Sequence, residues 1–308
     1  QRWHEHERPR DARRASCANN LKQFGLAFKM YANEWQGKFP PRAYPRPGSF
    51  IPPVFLGLAN IMVLSPTAIY PEYISDPGIY ICPPDAVAPL PSQARDRVKF
   101  VFSVAGLSEG AQYDGLQCAL GATSYAYLGW VALQDEANCC AAYPSDPCDI
   151  IRDAEMNVMA TAGTWIANRL LPGATIDSDL SWPGTGATPK CWGSGDSATT
   201  YRVREGIERF FITDINNPAA SSVAQSEIAV VFHYVSSTLN PNESYVIAKF
   251  NHIPGGMNCL FMDGHVEFLR YGTRFPASKG SAYYIGIRSG GDDLWETYWR
   301  PRYGGSMI

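Results

Sequence analysis

From Ala12 to about Trp35, apolar residues fall at Cys17, Leu21, Phe24, Phe28, Tyr31 and Trp35. Steps of three and four residues put them on one continuous stripe of a helix. Arg13, Arg14, Asn20, Lys22 and Lys29 lie mostly off it. A helix with one apolar face must bury that face, so the segment predicts packing on a sheet or a second helix. "GKFPPRAYPRPG" ends the helix, because proline cannot continue it and glycine favours a turn. The residues before the stripe, "QRWHEHERPRDARRASC", are dense in charge. Such a terminus frays on its own. Its order is expected to come from continuing the helix or from packing on a neighbouring subunit.

A second anchor lies near the other end, in "NCLFMDGHVEFLRY". Asp263-Gly264 stands between two apolar runs, which predicts a two-residue type I′ hairpin turn with φ > 0 at both central residues. The preceding "IPGGMN" predicts another turn. The same stretch carries His252, Cys259, His265 and Glu267. His265 and Glu267 would share a strand face, and with His252 or Asp263 they are candidate metal ligands. A good site needs further ligands and outer-shell support, so the structural turn is the preferred reading. Cys259 with His252 could pair a thiol with a base. No signature for that chemistry surrounds them, and a thiol buried in an apolar strand is inert.

Between the anchors, "KFVFSVAG", "TSYAYLGWVAL", "SEIAVVFHYV" and "SYVIAKFNH" are rich in aromatic and β-branched residues and predict strands. Residues 40 to 100 are punctuated by proline and predict one short helix among irregular segments. "DIIRDAEMNVMATAGTWIANRLL" predicts a second amphipathic helix, and "REGIERFF" a short one. The expected class is α+β: an N-terminal amphipathic helix on a mostly antiparallel sheet, with long disulfide-bearing loops. Three parts follow: a helical stem over 1–40, a β-rich head over 41–275 and an aromatic tail over 276–308.

Eight cysteines are present: Cys17, Cys82, Cys118, Cys139, Cys140, Cys148, Cys191 and Cys259. None belongs to a CxxC pair, which speaks against a zinc ribbon or a dithiol redox motif. The even count and the Gly/Pro/Ser-rich surroundings of most favour disulfides, and hence an exported protein. An exported chain needs an export signal, and an upstream segment is expected to supply it. No apolar run reaches the roughly 20 residues that span a membrane. The formal charge of −3 gives no global pull on nucleic acid. Asp292 and Asp293, in "SGGDDLWE", are the candidate ligands for a structural Ca²⁺. No other cofactor is expected. Asn242 opens the sequon "NES" and is a candidate glycosylation site. No phosphate loop, nucleophile elbow, HExxH or dinucleotide fingerprint occurs, so no catalytic residue is assigned.

"RRASCANNLKQFGLAFKMYANEWQGKFPP" resembles the segment just after the membrane helix in type IV pilin-like proteins of the pseudopilin kind. "NHIPGGMNCLFMDGHVEFLRY" resembles their prepilin-type-processing-associated H-X9-DG segment, with ten residues here between His252 and Asp263. "YICPPD" is similar to a C-P-S-D element midway in these proteins, and residues 201–231 are similar to a subgroup of them. The likeness implies a subunit with a long helix whose apolar first half, upstream of Gln1, anchors in the inner membrane and later packs in a filament core. It implies packing of the second half on an antiparallel sheet, through Leu21, Phe24, Phe28, Tyr31 and Trp35. The implied partners are identical subunits and a secretion or pilus assembly machinery, with contact to a membrane only through the upstream segment. The implied location is the cell surface, after export as a membrane-anchored prepilin-like precursor. The alternative is a surface- or carbohydrate-binding module using the loops at 134–149 and 177–200, where Trp182 and Trp192 could stack on sugars.

Overall fold

The structure is a computed structural model. It describes residues 2–42, 64–83, 90–120, 124–127, 129–131, 179–181, 199–210, 225–233, 236–239, 246–250, 252 and 255–277. The first helix, α1, spans Arg2–Glu34. Its stripe is buried as the spacing predicts: Cys17, Leu21, Phe24, Ala27, Phe28, Tyr31 and Ala32 all lie in the core. Trp35 departs from the prediction. It falls just past the helix end, is 54% exposed, and stacks on Tyr31 at 5.3 Å between ring centroids. The chain turns immediately after it: Gln36 adopts φ 57°, and the Gly37 N–H bonds to the Ala32 carbonyl at 2.8 Å. That six-to-one bond closes the helix with a left-handed residue directly after Trp35, which still bonds to the Tyr31 carbonyl at 2.9 Å and so ends the stripe at its exposed edge.

Among the described residues, three further α-helices follow: α2 (Pro66–Ile69), α3 (Pro91–Ser103) and α4 (Glu109–Leu120). A 3-10 turn covers Pro77–Tyr80. The strand expected at "KFVFSVAG" is instead the last part of α3. Ala94, Val98 and Val101 are its buried residues, spaced by four and three, so the helical period that begins upstream overrides local β preference. Pro91 at the start and the Gln93 side chain accepting from the Leu90 N–H fix where it begins.

The sheet is antiparallel, with strand order β1-β4-β7-β8. Its strands are β1 (Tyr125–Tyr127), β4 (Ala229–His233), β7 (Gly256–Phe261) and β8 (Val266–Arg270). Among the described residues there are also two small antiparallel ladders, β2 (Leu180–Ser181) with β3 (Thr199–Thr200), and β5 (Ser236–Leu239) with β6 (Val246–Lys249). An N-terminal helix and a four-stranded antiparallel sheet make this an α+β fold, as expected. Register assigns the faces, since directly opposed residues share a side. Tyr125 opposes His233, Tyr127 opposes Val231, and Val231 opposes Leu260. This face meets α1: Phe24 packs edge-to-face on Tyr125 at 5.8 Å and Phe28 on Tyr127 at 5.2 Å. Phe232 opposes Cys259 on the other face, where Phe232 packs on Phe275 at 5.8 Å.

The β7–β8 hairpin forms where the sequence places it, but its turn differs from the expected one. Only Gly264 takes a positive φ, 92°; Asp263 does not. The Gly264 N–H bonds to the Phe261 carbonyl at 2.9 Å, and the Phe261 N–H to the His265 carbonyl at 3.0 Å. Three residues therefore lie between the hydrogen-bonded Phe261 and His265, in the type I turn plus left-handed glycine arrangement. Asp263 stays in the turn and accepts from the His265 N–H at 3.0 Å.

Cys17, Cys82, Cys118 and Cys259 are buried and carry thiols. The sequence expectation of disulfides at these four is not met in this structure, where all four side chains sit in the packed core as thiols. Cys139, Cys140, Cys148 and Cys191 lie outside the described residues, as do Asn242, Asp292, Asp293, Trp182, Trp192 and the helix expected over 149–171. Among the described residues, no helix is long and apolar enough to cross a membrane.

Candidate metal centre

Four segments deliver one reactive side chain each to a single point between α1 and the sheet. Cys17 comes from α1, on the same stripe as Leu21 and Phe24. Cys82 follows the 3-10 turn, whose start is capped by Asp76 accepting from the Gly78 N–H at 2.8 Å. The Cys82 N–H donates to Ser124 Oγ at 2.9 Å, which ties this segment to the residue before β1. His233 ends β4 on the face that meets α1, opposite Tyr125. His252 precedes β7 and bridges to Gly256 across a tight turn, closed by the Gly255 N–H to the His252 carbonyl at 2.9 Å. Gly255 adopts φ 106°, a conformation that favours glycine.

The ligand atoms of Cys17, Cys82, His233 and His252 all lie within 4.8 Å of one another. Cys17 Sγ is 2.9 Å from His233 Nε2, and Cys82 Sγ is 3.8 Å from His252 Nε2. The two imidazoles meet edge-to-face at 4.9 Å. All four residues are buried, at 0%, 0%, 1% and 3% exposure. Tyr125 encloses one side: its ring lies 4.9 Å from that of His233, and its hydroxyl donates to Cys17 Sγ at 3.5 Å. Asn20 holds that hydroxyl, donating to it at 3.3 Å and to the Ile81 carbonyl at 3.1 Å. Phe268 lies against His252 at 6.2 Å.

Burial alone pushes the Cys17 thiol up. Hydrogen bonding with Cys82, the charge of His233, and hydrogen bonds with His233 and His252 outweigh it and hold the Cys17 thiol well below its ordinary value. Burial raises the Tyr125 hydroxyl well above its ordinary value, and the neighbouring sulfurs of Cys17 and Cys82 add to this. Tyr125 is therefore a neutral donor. Two sulfurs and two imidazole nitrogens are soft and borderline donors of the kind that hold Zn²⁺ or related ions, whereas Ca²⁺ takes oxygen.

The structure separates the residues that the sequence grouped around the hairpin. His252 is buried with His233. His265 is on the surface, with Nδ1 2.6 Å from Asp263 Oδ1 and Nε2 3.9 Å from Glu267. Its ring stacks flat on Phe261 at 4.5 Å. Cys259 faces away from α1, so it is no partner for the buried cluster. Its thiol is pushed well up by burial and contacts the Leu260 carbonyl at 3.7 Å. Cys17, Cys82 and His252 each stood out in the sequence, but as disulfide or hairpin residues. His233 was missed. It sits in a strand whose residues are all buried, and that was its available signal: a histidine needs a polar partner there.

Residues 8–55 match a family described as a protein of unknown function, DUF1559. The matched stretch contains Cys17 and the α1 stripe. No curated protein and no solved structure matches the chain.

Proposed function

We propose that this chain is a structural subunit of a pilin-like extracellular filament or secretion pseudopilus. The observation that carries the reading is the relation of α1 to the sheet. The helix runs for 33 residues, roughly 50 Å at 1.5 Å per residue. The head buries its stripe from Cys17 to Ala32, while Asp11, Ala12, Arg13, Ala15 and Ser16 are exposed and the helix extends further to Arg2. A long helix gripped by its second half leaves its first half for neighbours, which is how a helical spine assembles. Leu26 and Met30, one turn apart on α1, are 65% and 43% exposed and suit contact with another copy. The role so proposed is architectural, with no catalytic residue, with identical subunits as partners and the cell surface as location.

Immunogold negative-stain microscopy of cells that make the protein tests it. Labelled filaments, lost on combining Leu26→Asp with Met30→Asp while the subunit still accumulates, are the expected result. Label confined to monomers, with no fibre or pseudopilus in any condition that induces the protein, would overturn it.

A further inference from the structure

We propose that Cys17, Cys82, His233 and His252 bind one Zn²⁺ ion in a closed tetrahedral site that fastens α1 to the sheet. This stands apart from the filament reading and rests on the geometry of the four side chains alone.

Bond lengths of about 2.3 Å to sulfur and 2.0–2.1 Å to nitrogen make the edges of such a tetrahedron roughly 3.3–3.8 Å. The cage in hand has all ligand atoms within 4.8 Å, with two edges of 2.9 and 3.8 Å. Sub-ångström to about one-ångström shifts of side-chain tips would close it around an ion. Charge also fits. Two thiolates and two neutral imidazoles around a divalent ion sum to zero, so the loaded site carries no net charge into the core. Burial of a lone thiolate would be costly there.

Two other readings explain less. A Cys17–Cys82 disulfide would use the sulfurs but not account for the imidazole nitrogens of His233 and His252, 2.9 and 3.8 Å from them. A thiol nucleophile with an imidazole base needs access, and the four residues have almost none. Four protein ligands leave no open position for water or substrate, which marks a structural ion rather than a catalytic one. The ligands come from α1, the segment after the 3-10 turn, β4 and the turn into β7. One ion would therefore bind together segments as far apart in sequence as residues 17 and 252. Tyr125, held by Asn20, is the outer-shell donor to Cys17.

The test uses the native chain purified without chelator and without added metal. Elemental analysis is expected to find one zinc per chain. Exchange for Co²⁺ is expected to produce the visible bands of a tetrahedral site with sulfur-to-cobalt charge transfer. Cys17→Ser and His252→Ala should each lose the metal, and Cys259→Ser, on the opposite face, should keep it. The wild-type cobalt spectrum needs no variant to fold. A metal-free native chain that binds neither Zn²⁺ nor Co²⁺ as reduced protein would overturn the proposal. So would a Cys17–Cys82 disulfide in the native chain, read by intact mass before and after reduction. Retention of zinc by both Cys17→Ser and His252→Ala would overturn it as well.

Discussion

Gly25 of α1 lies directly over Leu260 of β7: a Cβ built on Gly25 would sit 3.0 Å from Leu260 Cδ1. Glycine in mid-helix costs about 1 kcal/mol against alanine. Here its absent side chain lets the helix settle onto the sheet one turn above Leu21. Gly25→Val should overpack this contact and destabilise the fold by about 1–3 kcal/mol. Gly25→Ala should cost far less, because Leu260 Cδ1 is the movable end of a side chain and the helix gains propensity. Urea denaturation of the two variants checks the difference.

The stripe residues should differ sharply in weight. Phe24 is 2% exposed and packs on Phe28, Tyr80 and Tyr125. Phe24→Ala should cost about 3–5 kcal/mol. Trp35→Ala removes one exposed stack on Tyr31 and should cost under about 1 kcal/mol. Equal losses in thermal melts of the two variants would contradict the placement of Trp35 outside the core.

Tyr125→Phe deletes the hydroxyl that donates to Cys17 while leaving the ring against Phe24 and His233. With zinc bound, the variant should release metal to a competing chelator about tenfold more readily than the wild type. Chelator titration followed by released zinc measures it. Unchanged release would remove Tyr125 from the outer shell.

Gly264 closes the β7–β8 turn at φ 92°, with open space where a Cβ would go. Gly264→Ala therefore meets no clash, and its cost is the backbone conformation alone, about 1–2 kcal/mol. Asp263→Ala keeps the backbone turn and loses an exposed carboxylate, so its cost should be the smaller of the two. Comparing the two midpoints in urea separates backbone strain from side-chain bonding.

Asp76 is held below the usual carboxylate range by hydrogen bonds from Arg95, with the Gly78 N–H adding to the effect. A carboxyl depressed in the folded state contributes stability above its unfolded value near 3.9. That contribution fades as pH falls through the lower folded value. Both side chains are about half exposed, so the effect should stay under about 1 kcal/mol. Asp76→Asn should narrow its stability gap to the wild type as pH drops below about 4. Melting curves of both proteins across that range check the sign.

The two ends of the fold were readable because each is governed by local rules. The period from Cys17 to Tyr31 demands a helix with one buried face, and Asp263-Gly264 between apolar runs demands a hairpin. "KFVFSVAG" has the aromatic and branched residues of a strand, while the spacing that counts starts upstream at Ala94. The turn type at Asp263 was misread because the dipeptide suits both a two-residue and a three-residue loop. Strand pairing, which the dipeptide does not specify, selects between them. The count and surroundings of the cysteines suggest disulfides, and neither reports which sulfurs meet a histidine.

What the sequence determined by itself was the helix, its buried stripe and the closing hairpin, because periodicity and turn chemistry act over a few residues. What only the tertiary structure decided was that Cys17, Cys82, His233 and His252 share one buried point. Their separations in the chain carry no spacing signature. It takes the register of β4 against β1, the tight turn before β7 and the docking of α1 on one sheet face to bring them together.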